Sequence, residues 1–128
     1  STQAVLAHFA SKKAFANWHP QSLQDYAQHG TRTEAGQRVL SFTREVETQI
    51  YNTLPDHLET LLLKHPPQCP VAFIGGRSSS EVKRVGLELT ERVVQGQVRW
   101  LEGTHLFPME RPHETADCVA KQLRLWAS

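Results

Sequence analysis

Long apolar runs are absent from this sequence, cysteine is scarce and neither sign of charge prevails. No stretch approaches the roughly 20 consecutive apolar residues of a membrane-spanning helix, and the first residues lack the charged-then-apolar pattern of a secretion signal. With 14 Lys and Arg against 13 Asp and Glu, the formal net charge is +1, which offers no field to draw in nucleic acid or anionic lipid. Neither is expected as a partner. The 2 cysteines, Cys69 and Cys118, fit neither a metal knuckle nor a disulfide framework and read as reduced core thiols of a cytoplasmic protein. What remains is 128 residues, 39% of them hydrophobic, enough for one globular domain or part of one. There is no internal repeat and no low-complexity segment.

The first half reads as short helices. Residues 1–16 place Val5, Leu6 and Phe9 on one side of a helix that Ser1 or Thr2 can cap. A second helix runs from Pro20, suited to a first helical turn, to the terminator Gly30; Leu23, Tyr26 and Ala27 share a face and Trp18 packs at the entrance. Residues 31–41 are polar and read as a loop with a short extended piece at Val39 and Leu40. Residues 44–52 are helix-like. Pro55 opens a further helix through Lys64 that buries Leu58, Leu61 and Leu62, until Pro66 and Pro67 end it.

The texture then changes. Val71-Ala-Phe-Ile74 is a continuous apolar run followed by Gly75 and Gly76, as expected of a strand buried on both faces of a parallel sheet. Ser78-Ser-Ser-Glu81 forms a capping-box pattern with Ser78 as N-cap, and Val82, Val85, Leu89 and Val93 continue at helical spacing until Gly96. Val98, Trp100 and Leu101 suit a second buried strand, and Gly103 lets the chain leave the sheet. His105 follows directly, beyond the C-terminal end of a strand, where parallel sheets place their chemistry. Pro112 starts a last helix whose Ala116, Val119, Ala120, Leu123 and Trp126 would cover the sheet. Strand, helix, strand, helix argues a right-handed parallel crossover. Two strands, however, are too few for a sheet buried on both faces, so the sheet is incomplete on its own and something else must supply the rest.

The order of these pieces resembles an α/β-hydrolase entered after its sixth strand. The residues that carry the resemblance are Phe15-Ala-Asn-Trp18-His-Pro20, Tyr26-Ala-Gln-His-Gly30, Glu47-Thr-Gln-Ile-Tyr51, Phe73-Ile-Gly-Gly-Arg-Ser78 and Gly103-Thr-His-Leu-Phe-Pro-Met-Glu-Arg-Pro112. The implied fold class is α/β, the C-terminal part of the hydrolase fold, with a helical cap over residues 1–66 and a β-α-β-α core portion over 67–128. The resemblance implies that His105 is the general base, taking the nucleophile's proton and returning it to the leaving group; imidazole suits this because it changes protonation near neutral pH. It implies no metal or cofactor.

Two further triad members are needed, and neither is at its usual place. The nucleophile belongs on a Gly-x-Ser-x-Gly elbow, which does not occur here; Gly76-Arg-Ser78-Ser-Ser follows the wrong strand and lacks the second glycine. The acid that commonly stands three residues beyond the glycine ending the seventh strand falls at Ser78, and serine cannot hold an imidazolium by charge. The acid is then expected upstream of Ser1, after the sixth strand. Glu81 is a poor local substitute because the capping box engages it.

The expected partner is accordingly the missing N-terminal half of the hydrolase, as a separate chain or cleaved segment, or a domain-swapped copy completing the sheet. The expected substrate is a small molecule with an ester, thioester or related acyl bond. The alternative is a non-catalytic binding or interaction module that kept the scaffold after the acid position became Ser78. Around the histidine, Glu110 is read as structural, and Phe107 and Met109 as pocket or core packing. Phe15, Trp18, Tyr26 and Tyr51 either line an acyl pocket or form the core of the cap. A metal site from His105, Glu110 and His113 has poor spacing, and Gly75-Gly76-Arg-Ser lacks the lysine of a phosphate-binding loop. His8, His19, His29, His57 and His65 read as surface or cap residues.

Overall fold

The computed structural model describes residues 1–53 and 56–127 and divides into two compact units, Ser1–Pro55 and Asp56–Ser128. The first unit contains α1 (Thr2–Ala10), a 3-10 turn (Lys13–Phe15), α2 (Pro20–His29), a hairpin of β1 (Thr31–Glu34) and β2 (Gln37–Leu40), and α3 (Arg44–Asn52). Ser1 caps α1 by accepting from the Ala4 N–H, and His19 does the same for α2 through Gln21, one residue before the first-turn proline. Gly30 ends α2 with φ of −77°, so its role is not left-handed freedom. A Cβ there would lie 2.7 Å from the Tyr26 carbonyl oxygen and 2.9 Å from its ring, so glycine is needed for the close approach.

Residues 31–41, read from sequence as a loop, are instead an antiparallel hairpin with Thr31 opposite Leu40 and Glu34 opposite Gln37. Its two-residue turn, Ala35-Gly36, has positive φ at both positions, which matches the twist of the flanking strands. Arg38 fastens the hairpin to the end of α2: one guanidinium nitrogen donates to the carbonyls of Ala27, Gln28 and Thr31 and to the Thr31 hydroxyl. A cation bonded to the last carbonyls of a helix also meets the negative end of its dipole. Phe9, Phe15, Trp18 and Tyr26 pack on one another with ring centroids 4.9 to 5.8 Å apart. These half-buried aromatics pack within their own unit, whereas Tyr51 on α3 is 70% exposed.

The second unit runs α4 (Leu58–Lys64), β3 (Phe73–Gly76), α5 (Ser80–Val85), α6 (Glu88–Val94), β4 (Val98–Leu101), α7 (Phe107–Glu110) and α8 (Pro112–Ala127). Pro55, read as the start of α4, lies outside the described residues. β3 and β4 pair in parallel, Phe73 with Val98 through Gly76 with Leu101, joined by the expected helical crossover. β3 begins two residues later than the apolar run suggests and carries both glycines. The crossover is not one helix: Gly86 (φ +82°) breaks it after Val85, and the chain restarts at Glu88.

Among the described residues, the buried apolar side chains are Leu23, Ala27 and Val94. Leu58 and Leu61 on α4 are exposed, contrary to the expected burial, and Leu62 is half-buried. Gln122 of α8 is buried and donates to the Gln97 side chain at 2.6 Å, while the stripe expected to cover the sheet is open, with Val119 at 41% and Leu123 at 56% exposure. Cys69 is at the surface rather than in the core, and Cys118 is half-buried. No helix among the described residues is long and apolar enough to cross a membrane.

Candidate active site

The site forms where the chain leaves the C-terminal ends of β3 and β4. The two exits are zipped together by backbone: Arg77 N–H donates to Leu101 and Ser78 N–H donates to Gly103, each at 2.9 Å. Gly76 makes this possible, because a Cβ there would overlap the Thr104 carbonyl. Gly103, at φ +133°, turns the second exit toward the first. The exposed Arg77–Glu102 ion pair at 2.9 Å spans the same two exits and adds little in water.

The turn is then latched from beyond. The Glu110 carboxylate accepts from the Thr104 N–H at 2.8 Å and from the Thr104 hydroxyl at 2.5 Å, and that hydroxyl in turn accepts from Leu106 N–H at 3.1 Å. Glu110 therefore spans the histidine turn, as its structural reading suggested, and Phe107 packs beside Gly103. Met109 is 40% exposed. His105, in the middle of this latched turn, is exposed at the rim.

The ring Nδ1 of His105 meets a hydroxyl that sequence reading did not single out. Ser79, not Ser78, is the N-cap of α5; its Oγ accepts from Val82 N–H at 3.2 Å and lies 3.2 Å from His105 Nδ1. Three consecutive serines let the cap slip by one, which places Ser78 outside and leaves Ser79 only 1% exposed. The slip also frees Glu81 from the capping box: its carboxylate accepts from the hydroxyls of Ser79 at 3.3 Å and Ser80 at 3.0 Å. Its carboxyl is held below the ordinary carboxylate range, first by its own backbone N–H and then by the Ser80 hydroxyl. Desolvation opposes this, and the nearby His105 charge and the Ser79 hydroxyl reinforce it.

A cleft of about 250 Å³ opens beside Ser79, lined by Gly76, Val82, Gly86, Leu87 and Trp100. A larger hollow of about 630 Å³ lies elsewhere in this unit, against Leu62, Pro66, Cys69, Val93 and Gln97, and includes neither His105 nor Ser79. The His105–Ser79 contact lies at the strand exits rather than at the larger hollow. Among the described residues, no three His, Cys, Asp or Glu side chains gather closely enough to hold a metal ion.

No protein-family model matches this sequence, and no curated protein is significantly similar to it. Solved structures do match. E-2-(acetamidomethylene)succinate hydrolase aligns with a TM-score of 0.75 at 20% identity over 94% of this chain and 44% of its own. A thioesterase domain from the curacin biosynthetic pathway aligns with a TM-score of 0.66 at 17% identity over 93% and 43%. The chain thus has an α/β-hydrolase fold in part, its C-terminal portion, and spans less than half the length of the structures it matches.

Proposed function

We propose that His105 is the general base of a serine-type hydrolase acting on an ester, thioester or related acyl bond, and that the nucleophile comes from polypeptide outside residues 1–128. The observation that carries this reading is the position of the imidazole: exposed on a latched turn beyond β4, with Nδ1 against the Ser79 hydroxyl. The absent elbow and the partial coverage of the matched hydrolases support a nucleophile-bearing segment that also completes the sheet beside β3 and β4. In that arrangement, residues 1–66 serve as a helical cap over the acyl substrate.

The reaction divides as in other serine acyl hydrolases. Nε2 takes the serine proton as Oγ attacks the carbonyl carbon, and then returns it to the departing alcohol or thiol. A water deprotonated by the same nitrogen releases the acid. Residues 1–128 alone should hydrolyse no acyl ester. In the enzyme that unites them with the nucleophile-bearing segment, His105→Ala should abolish turnover and leave the circular dichroism unchanged. Unaltered turnover would remove the assignment.

One observation favours a second reading, a non-catalytic binding module: the group facing Nδ1 is a hydroxyl where a triad has a carboxylate. Turnover with the nucleophile-bearing segment separates the two readings, since the module predicts none at all.

A further inference from the structure

The hydroxyl of Ser79 has one proton and two lone pairs, and its surroundings account for each of them. Val82 N–H occupies one lone pair, at 3.2 Å. The Glu81 carboxylate, which can only accept, lies 3.3 Å away and takes the proton. What is left to face His105 Nδ1, 3.2 Å away, is the second lone pair. With the hydroxyl so directed, the matching partner for that lone pair is an Nδ1–H donor, which leaves Nε2 without a proton.

We propose that Ser79 and Glu81 are positioning residues that fix His105 in the Nδ1–H tautomer, the carboxylate acting on the ring through one intervening hydroxyl. The relay does locally what a directly bonded acid does in a triad, and its catalytic consequence rests on reading His105 as the base. No proton passes along it: when Nε2 takes a proton, Nδ1–H remains bonded to Ser79 Oγ and the Ser79 proton remains on Oγ, directed at Glu81. The imidazolium is then supported by a carboxylate one hydroxyl away. Three features favour this arrangement. Ser79 is almost wholly buried, so water does not compete for its hydroxyl. Its position is set by the cap of α5 and by the backbone zipper between the strand exits. The charge of His105 is also felt at Glu81, whose carboxyl it helps to keep ionised.

The test is the ring tautomer itself, read by nitrogen NMR on residues 1–128 with labelled histidine, at a pH high enough to leave the ring neutral. The unsubstituted chain should show His105 protonated at Nδ1. Glu81→Ala leaves the Ser79 proton without its acceptor, and that proton should turn to Nδ1 and invert the tautomer to Nε2–H. Ser79→Ala should give a mixture of both forms, and Ser79→Thr, which keeps hydroxyl and cap, should restore Nδ1–H. An Nε2–H ring in the unsubstituted chain, or a tautomer indifferent to Glu81→Ala, would overturn the relay. In the enzyme with its nucleophile, Glu81→Ala should lower kcat roughly a hundredfold with little change in KM, as expected when a general base is held in the wrong tautomer. Unchanged kcat in Glu81→Ala, with His105→Ala inactive, would refute the relay's catalytic part and spare the base; activity surviving His105→Ala would refute the base, while the NMR arm would still judge the tautomer.

Discussion

The two strand pairs of this chain are equally short and differ in almost everything else. The β1–β2 hairpin closes through Ala35-Gly36, pairs neighbours in sequence and is fastened to α2 by Arg38. The β3–β4 pair is assembled across residues 77–97 and depends on contacts between its exits, where Gly76 admits the Thr104 backbone and Glu110 latches the turn. The hairpin meets its needs locally. The parallel pair presents His105, the proposed base, and leaves its outer edges without strands among the described residues. Local pairing secures the hairpin, whereas His105 and Ser79 meet where distant segments are held together and side chains from two exits converge.

The sharpest way to break this contrast is at Gly76. Gly76→Ala should destabilise the second unit by about 3 kcal/mol, since backbone rather than a flexible side chain blocks the new methyl. Urea unfolding measures that loss, and NMR should show the His105 turn displaced. A loss below a few tenths of a kcal/mol would mean that the exits are not tightly docked. Arg38→Ala should cost about 1.5 kcal/mol, from several shared bonds of a partly buried cation. Its chemical-shift changes should stay within the first unit; spread to His105 would contradict the local character of the hairpin.

A smaller effect sharpens the comparison through pH. Because the Glu81 carboxyl titrates lower in the folded chain than its ordinary value, it contributes stability above the ordinary carboxylate range. That contribution disappears as pH falls through the lowered, folded-state value. Glu81→Gln should therefore flatten the acid side of the stability profile, and an unchanged acid limb would mean that another carboxyl sets it. The hairpin, whose anchor is an arginine, should show no matching change.

Where the sequence carried short-range signals, the fold was legible. Pro20 and Gly30 bracket α2, Val98 to Leu101 form β4, and Pro112 opens α8. The turn bearing His105 also follows from Gly103 after an apolar strand. Other features were hidden for identifiable reasons. The first hairpin strand, Thr31-Arg-Thr-Glu34, is polar throughout and shows no apolar alternation, Val39 and Leu40 are adjacent rather than alternating, and Ala35-Gly36 is a weaker turn signal than Asn-Gly. Val82, Val85, Leu89 and Val93 keep helical spacing across Gly86, which concealed the break. The run of three serines left the cap ambiguous by one residue, and that one residue decides which hydroxyl meets the histidine. The open stripe on α8 is beyond sequence patterning, because an apolar periodicity shows that a face seeks cover without showing what covers it.

His105 is proposed as a proton acceptor that works only with a nucleophile from outside residues 1–128. The direct measurement is acyl-ester turnover by residues 1–128 joined to the nucleophile-bearing segment, with and without His105→Ala, beside residues 1–128 alone. Turnover is expected in the joined, unsubstituted protein and none in the other two. Hydrolysis by residues 1–128 alone, or by the joined protein carrying His105→Ala, would contradict it.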